Sequence, residues 1–218
     1  MMRRSFYTSL LIGGILTMTT FAHANTSLHE AVRNNDIQSV QILSSQNHLE
    51  SRDARNNTPL MLATQRNNIA IATILIKAGA DVNAKNDMQD TPYLLAGAQG
   101  YNEILTLTLT HGANLKDTNR YGGTALIPAA EKGHPQTVKI LLEAGADPNH
   151  INNLGWTALM EAVLLGNGSQ TYQDIVKILL EAGADPNIPD NKGITALQYA
   201  KQKSFHEIVN LLNQYGGQ

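Results

Sequence analysis

The chain has 218 residues, 42% of them hydrophobic and 5% aromatic, with a formal charge of −2 and no cysteine. With no run of basic residues, that charge argues against a nucleic-acid footprint. The missing cysteines remove disulfides and thiolate metal sites, so stability must come from packing, and the scarce aromatics suit narrow interfaces filled by Ala and Leu.

Residues 1–24 read as a targeting segment. Arg3 and Arg4 give a positive start, Leu10 to Met18 an apolar middle, and Ala22-His23-Ala24 a small-residue cleavage site. The apolar run is short and is broken by Gly13, Gly14 and Thr17, which argues against a membrane anchor. The expected outcome is cleavage near Ala24 and a periplasmic or secreted mature chain, with 14 basic against 18 acidic residues. Arg3-Arg4-Ser5-Phe6 also resembles part of a twin-arginine export signal, and both export routes stay open.

Repetition organises the rest, and six units follow in order over residues 25–53, 54–86, 87–119, 120–152, 153–190 and 191–218. The first opens with Thr26-Ser27-Leu28-His29-Glu30-Ala31 but lacks the closing glycine sequence of its siblings, so it reads as a terminal cap. The second opens with Thr58-Pro59-Leu60 and closes over Gly79 to Asn83; the third opens with Thr91-Pro92 and reaches Gly112.

The fourth unit is the clearest. Thr124 is placed to cap a helix from Ala125 to Lys132, which Gly133 ends. Pro135 suits the first turn of a second helix, whose Val138, Leu141 and Leu142 make one apolar stripe. Gly145 is placed to close that helix in a left-handed conformation. In the fifth unit, from Thr157 to the closing Gly183 to Asn187, five residues are inserted within Leu164 to Asp174; Gly166, Gly168 and Ser169 predict a surface loop carrying Tyr172. The sixth, from Thr195, keeps Leu211 and Leu212 and is the other cap.

Thr58, Thr91, Thr124 and Thr157 recur at steps of 33, as do Gly79, Gly112 and Gly145, and the step to Thr195 and Gly183 is 38. This period, with Thr58-Pro59-Leu60 and Thr91-Pro92 opening units and Gly-Ala-Asp-x-Asn closing others, resembles the ankyrin repeat over Asn25 to Gln218. The resemblance implies an all-α repeat solenoid, an ankyrin-type stack of about six helix-turn-helix units with hairpin fingers. It also implies a concave face, lined by fingers and first helices, where partners bind.

The sequence offers few groups for chemistry. The histidines at 23, 29, 48, 111, 134, 150 and 206 show no metal-ligand spacing, and no nucleophile elbow, phosphate loop or H-E-x-x-H occurs. Asp81, Asp147 and Asp185 recur at turns and read as structural. The expectation is a noncatalytic protein with no cofactor and no metal.

Departures between units then point to a binding surface, because the fold does not demand them. Three positions before each threonine stand Arg55, Met88, Tyr121, Leu154 and Lys192; one position before stand Asn57, Asp90, Gly123, Trp156 and Ile194. Met88, Tyr121, Leu154 and Trp156 are thereby expected to form an apolar stripe along the fingers, flanked by Asp90 and Arg120; packing between fingers is the alternative.

Counting the threonine as one, the fifth position reads Glu30, Leu62, Leu95, Pro128, Glu161 and Tyr199. Pro128 is expected to distort a first turn, and Glu161 to be either a groove carboxylate or a solvated charge. The function expected is a protein-binding module of the bacterial cell envelope, monomeric, with an unidentified protein partner, no nucleic acid and no stable membrane insertion. An accessory to an oxidative-stress enzyme, an inhibitor or immunity protein, and a host-directed factor are forms the resemblance permits. A small-molecule or hydrolytic groove around Glu161 and Tyr199 is the rival class.

Overall fold

A computed structural model describes residues 26–46 and 48–218. The targeting segment lies outside the described residues. Twelve helices are found there, and no strand. They are α1 (Leu28–Arg33), α2 (Ile37–Ser44), α3 (Pro59–Gln65), α4 (Ile69–Lys77), α5 (Pro92–Gln99), α6 (Asn102–Thr110), α7 (Leu126–Glu131), α8 (Pro135–Glu143), α9 (Ala158–Leu164), α10 (Gln170–Glu181), α11 (Ala196–Gln202) and α12 (His206–Gln214).

Each odd-numbered helix packs against the even-numbered helix that follows it, and the pairs stack in sequence order. Two layers result, one of first helices and one of second helices, with a single core running between them. Leu60, Leu75, Ile104, Leu126, Leu141, Leu159 and Ile175 are among its fully buried side chains. Each such burial is worth about 1.5–3 kcal/mol relative to exposure, but only when a neighbouring unit covers it. Among the described residues, no helix is long and apolar enough to cross a membrane.

The threonine column caps first helices as expected, with two exceptions. Thr58, Thr91, Thr157 and Thr195 accept the backbone N–H three residues on, from Met61, Leu94, Met160 and Gln198. In unit one the cap is Ser27, not Thr26, and its hydroxyl accepts from Glu30 N–H. In unit four the Thr124 hydroxyl is buried without a partner, and α7 starts a residue late, at Leu126.

Pro128 is the physical reason for the second exception. Its siblings Leu62, Leu95, Glu161 and Tyr199 donate their N–H to the threonine carbonyl, which closes the first turn. Pro128 has no N–H, so Ile127 bonds the Thr124 carbonyl instead, at 3.3 Å. With the start displaced, Pro128 stands at the third helical position, where an N–H would lack an intrahelical partner anyway.

The closing sequences do more than turn the chain. Gly145 has φ +93°, the left-handed conformation expected of it. Asp81, Asp147 and Asp185 each accept the N–H two residues on, which folds the exit locally, as their recurrence at turns suggested. The last asparagine then clamps the next unit: Asn149 donates to the Gly183 carbonyl at 3.2 Å and accepts from Asp185 N–H at 2.7 Å. Asn83 and Asn187 make the same pair of bonds to Gly112 and Asn114 and to Gly216 and Gln218. Unit one has no such asparagine, and the Glu50 carboxylate takes its place by accepting from Asp81 N–H at 2.8 Å.

The insertion in unit five departs from expectation. Only Leu165 to Ser169 separate α9 from α10, and Gln170 to Asp174 belong to α10, which has 12 residues against 8 or 9 in other second helices. Tyr172 is not a loop aromatic: it packs half-buried on the core and donates its hydroxyl to the Glu131 carbonyl at 2.9 Å.

Candidate functional site

Between the helix pairs the chain forms fingers, and one residue builds each tip. Asp53, Asn86, Asn119, Asn152 and Asp190 each accept, on a single side-chain oxygen, the N–H groups two and four residues on. A backbone bond from residue three back to the same Asx residue tightens the turn, for example Gly122 N–H to the Asn119 carbonyl at 2.9 Å. The residue two on is thereby held at the tip, and it is Arg55, Met88, Tyr121, Leu154 or Lys192. This Asx column, at steps of 33, 33, 33 and 38, is the part of the site that the sequence reading missed, although its spacing is plain in the sequence.

Adjacent fingers are tied together. Asp87 N–H donates to the Arg55 carbonyl at 3.3 Å, and Asn153 N–H donates to the Tyr121 carbonyl at 2.9 Å. Asn191 reaches the Leu154 carbonyl at 3.1 Å. The tips are therefore a fixed row rather than independent loops.

On that row Met88, Tyr121 and Leu154 are 46%, 55% and 51% exposed. Large apolar side chains half in water at three successive tips are not explained by packing. Arg120 does not flank the row, as expected from the sequence, but joins two of its members. Its guanidinium lies 4.6 Å from the Tyr121 ring centre, donates to the Tyr121 hydroxyl at 2.9 Å and contacts Met88 Sδ at 3.0 Å. Stacked and hydrogen-bonded, the pair is held in one arrangement. Asp90 is half-buried; burial pushes its carboxyl pKa up, against the pull of Arg120 and Lys132.

The other predicted residues separate into two groups. Tyr199 is half-buried and donates its hydroxyl to Asp190 Oδ2 at 2.7 Å, so it braces the last finger. Trp156 and Glu161 instead share a cleft of about 210 Å³ between the third and fourth fingers and helices α7 and α9, with Pro128, Glu131, Tyr121 and Leu154. Tyr199 is not in its wall, so this cleft is not one that Glu161 and Tyr199 share.

Glu161 is 4% exposed, not a solvated charge. One carboxyl oxygen accepts from Asn152 Nδ2 at 3.1 Å, and the other has no partner. Burial pushes its pKa up to about 7, the Glu131 charge adds to the rise, and the Asn152 bond opposes it. Among the described residues no group of three His, Asp or Glu side chains is placed to hold a metal ion.

A family profile described as ankyrin repeats (3 copies) matches residues 8–86 and 93–190. The chain is also similar to the ankyrin repeat domain of a protein from Acinetobacter baumannii AYE, whose crystal structure was solved at 1.00 Å resolution. That likeness has a TM-score of 0.85 and 58% identity, and covers 88% of this chain and 98% of the other. A second crystal structure of an ankyrin repeat protein gives a TM-score of 0.84 and 50% identity, covering 87% of this chain and 97% of that one. No curated protein matches.

Proposed function

The chain belongs to the ankyrin repeat family, and on that premise we propose that it is a noncatalytic module of the bacterial cell envelope, holding a partner protein on its fingers and first helices. Ankyrin repeat domains generally mediate protein–protein interaction. The observation that carries the choice of face is the row of exposed tips Met88, Tyr121 and Leu154, braced by Arg120. Tyr and Arg are the residue types that dominate binding energy at interfaces, and here they lie together on a rigid scaffold. Asp90, Trp156 and Glu161 extend that face, and Tyr199 holds its last finger in place. The envelope location rests on the composition of residues 1–24, and a bacterial protein is the source of a relative 58% identical.

A catalytic groove is the weaker reading. Glu161 has the raised pKa expected of a general acid, but its cleft of about 210 Å³ is below the roughly 300–1,000 Å³ typical of small-molecule pockets. Its wall also offers no hydroxyl or imidazole nucleophile beside the carboxyl; Tyr121, the one hydroxyl there, is bonded to Arg120.

The test is capture of a partner from an envelope extract by residues 25–218, with Met88→Ala/Tyr121→Ala as control bait. Both side chains are half-exposed, so the double variant keeps its melting temperature while partner affinity falls by more than about 2 kcal/mol. A large drop in melting temperature assigns the tips to packing; equal capture by both baits removes this face. Mass spectrometry of the protein from a periplasmic fraction checks the location, since the proposal requires loss of residues 1–24.

A further inference from the structure

The cleft around Glu161 has the wrong contents for an apolar interior and the right ones for a cation. It contains two carboxylates, Glu161 and Glu131, and its wall has no Lys, Arg or His. Arg120, the nearest cation in sequence to the Tyr121 fingertip, is engaged with Tyr121 and Met88. One Glu161 oxygen is buried and unpartnered. The fold does not require an acid there, because equivalent first helices carry Leu62 and Leu95 at the same position. A buried carboxyl with an orphan oxygen is costly to keep, and a bound cation offsets that cost.

The rest of the wall defines the ligand's shape. Ile127, Pro128, Leu154, Tyr121 and Trp156 line it with apolar and aromatic groups that suit an aliphatic stem ending in a positive charge. A volume of about 210 Å³ admits one long side chain rather than a metabolite. Only one Glu161 oxygen is free, since Asn152 holds the other, which disfavours the two-pronged carboxylate contact that a guanidinium prefers and suits a compact ammonium.

We propose that the cleft between the third and fourth fingers is a lysine pocket, in which Glu161 takes the ammonium of a lysine side chain projecting from the bound protein. Trp156 and Tyr121 flank its stem, and Glu131 supplies the second negative charge. The assignment rests on the fingers being the binding face, since Tyr121 and Leu154 belong both to the row of tips and to the cleft wall.

Binding of the lysine strengthens as pH rises. An ammonium pairs with the ionised carboxyl, and burial with the Glu131 charge holds Glu161 largely protonated below about pH 7. Of the groups on neighbouring helices, Glu131 of α7 acts on it directly. Tyr172 of α10 is bonded to the Glu131 carbonyl and Tyr199 of α11 to Asp190, while Lys132 acts on Asp90 and His134.

Trp156 is the one tryptophan of the chain, so its fluorescence reads the cleft directly. The probe is the capped tripeptide acetyl-Gly-Lys-Gly-amide, compared with versions carrying norleucine, Nε-acetyl-lysine or arginine in the middle. The lysine probe is expected to change Trp156 emission saturably in the millimolar range, about tenfold more weakly at pH 6 than at pH 8. Norleucine and acetyl-lysine probes leave the emission unchanged.

Glu161→Gln loses the response, and so does Glu161→Leu, which restores a residue its siblings already carry and keeps the fold testable. An equal response with norleucine, an unaltered response in both variants, or tighter binding of the arginine probe each overturns the lysine assignment. Met88 lies outside the cleft, so Met88→Ala leaves probe binding intact while weakening partner capture. Loss of capture without loss of probe binding therefore isolates the row of tips, and probe failure with normal capture sinks only the pocket.

Discussion

Gly145 shows how one residue sets the geometry that every other contact uses. It leaves α8 at φ +93°, and a Cβ built there meets nothing within 4 Å. A substitution therefore costs backbone energy and no packing. Gly145→Val should lower stability by at least about 1–2 kcal/mol, and Gly145→Ala should already show most of that loss, both read from urea midpoints. Unchanged midpoints would mean that the exit of unit four does not need a left-handed residue. Glu161 is the opposite case, a residue the repeat tolerates rather than requires. That contrast was legible in part: a repeat states in advance which positions must recur, so Glu161 and Tyr121 stood out against their siblings. Burial was not legible. Whether Glu161 is solvated depends on Asn152, Trp156 and Pro128, which approach it from another finger and another helix.

Helices in this chain begin and end where local chemistry tells them to, and the departures have local causes. Proline at position 128 displaces the start of α7 and leaves the Thr124 hydroxyl without the bond its siblings make. Thr157→Val should cost about 0.5–2 kcal/mol because it removes a working cap, whereas Thr124→Val should be neutral within about 0.5 kcal/mol or stabilising. Equal losses in thermal or urea unfolding would show that Thr124 caps after all. The distorted turn was predictable from Pro128 alone; the idle threonine required seeing the whole first turn shift. The inserted segment was misread for a different reason. Gly166, Gly168 and Ser169 are loop residues, but Tyr172, Ile175, Val176 and Leu179 already lie at helical spacing, and that stripe carries α10 back to Gln170. Turn residues at one end of the insertion masked a helix signal at the other.

Across the whole molecule, cooperativity depends on interfaces between neighbouring units, because among the described residues helices of different units pack mainly on those of the adjacent unit. The contact between units three and four is close enough for a single added carbon to disturb it. Gly97 lies within α5, and a Cβ there would come within 2.8 Å of the Ala125 Cβ, a rigid stub just before α7. Gly97→Ala gains roughly 0.8–1 kcal/mol of helix propensity, while overpacking of this kind typically costs about 1–3 kcal/mol. The net change in stability is thus small, and the informative quantity is coupling. Forcing α5 from α7 weakens one link of a linear chain, so the units on either side should begin to unfold separately. Trp156 reports the fifth unit and far-UV circular dichroism reports all of them. In wild type the two urea transitions should coincide; in Gly97→Ala they should separate, with a lower m-value by circular dichroism. Coincident transitions with an unchanged m-value would mean that the stack absorbs the extra methyl without loosening this interface.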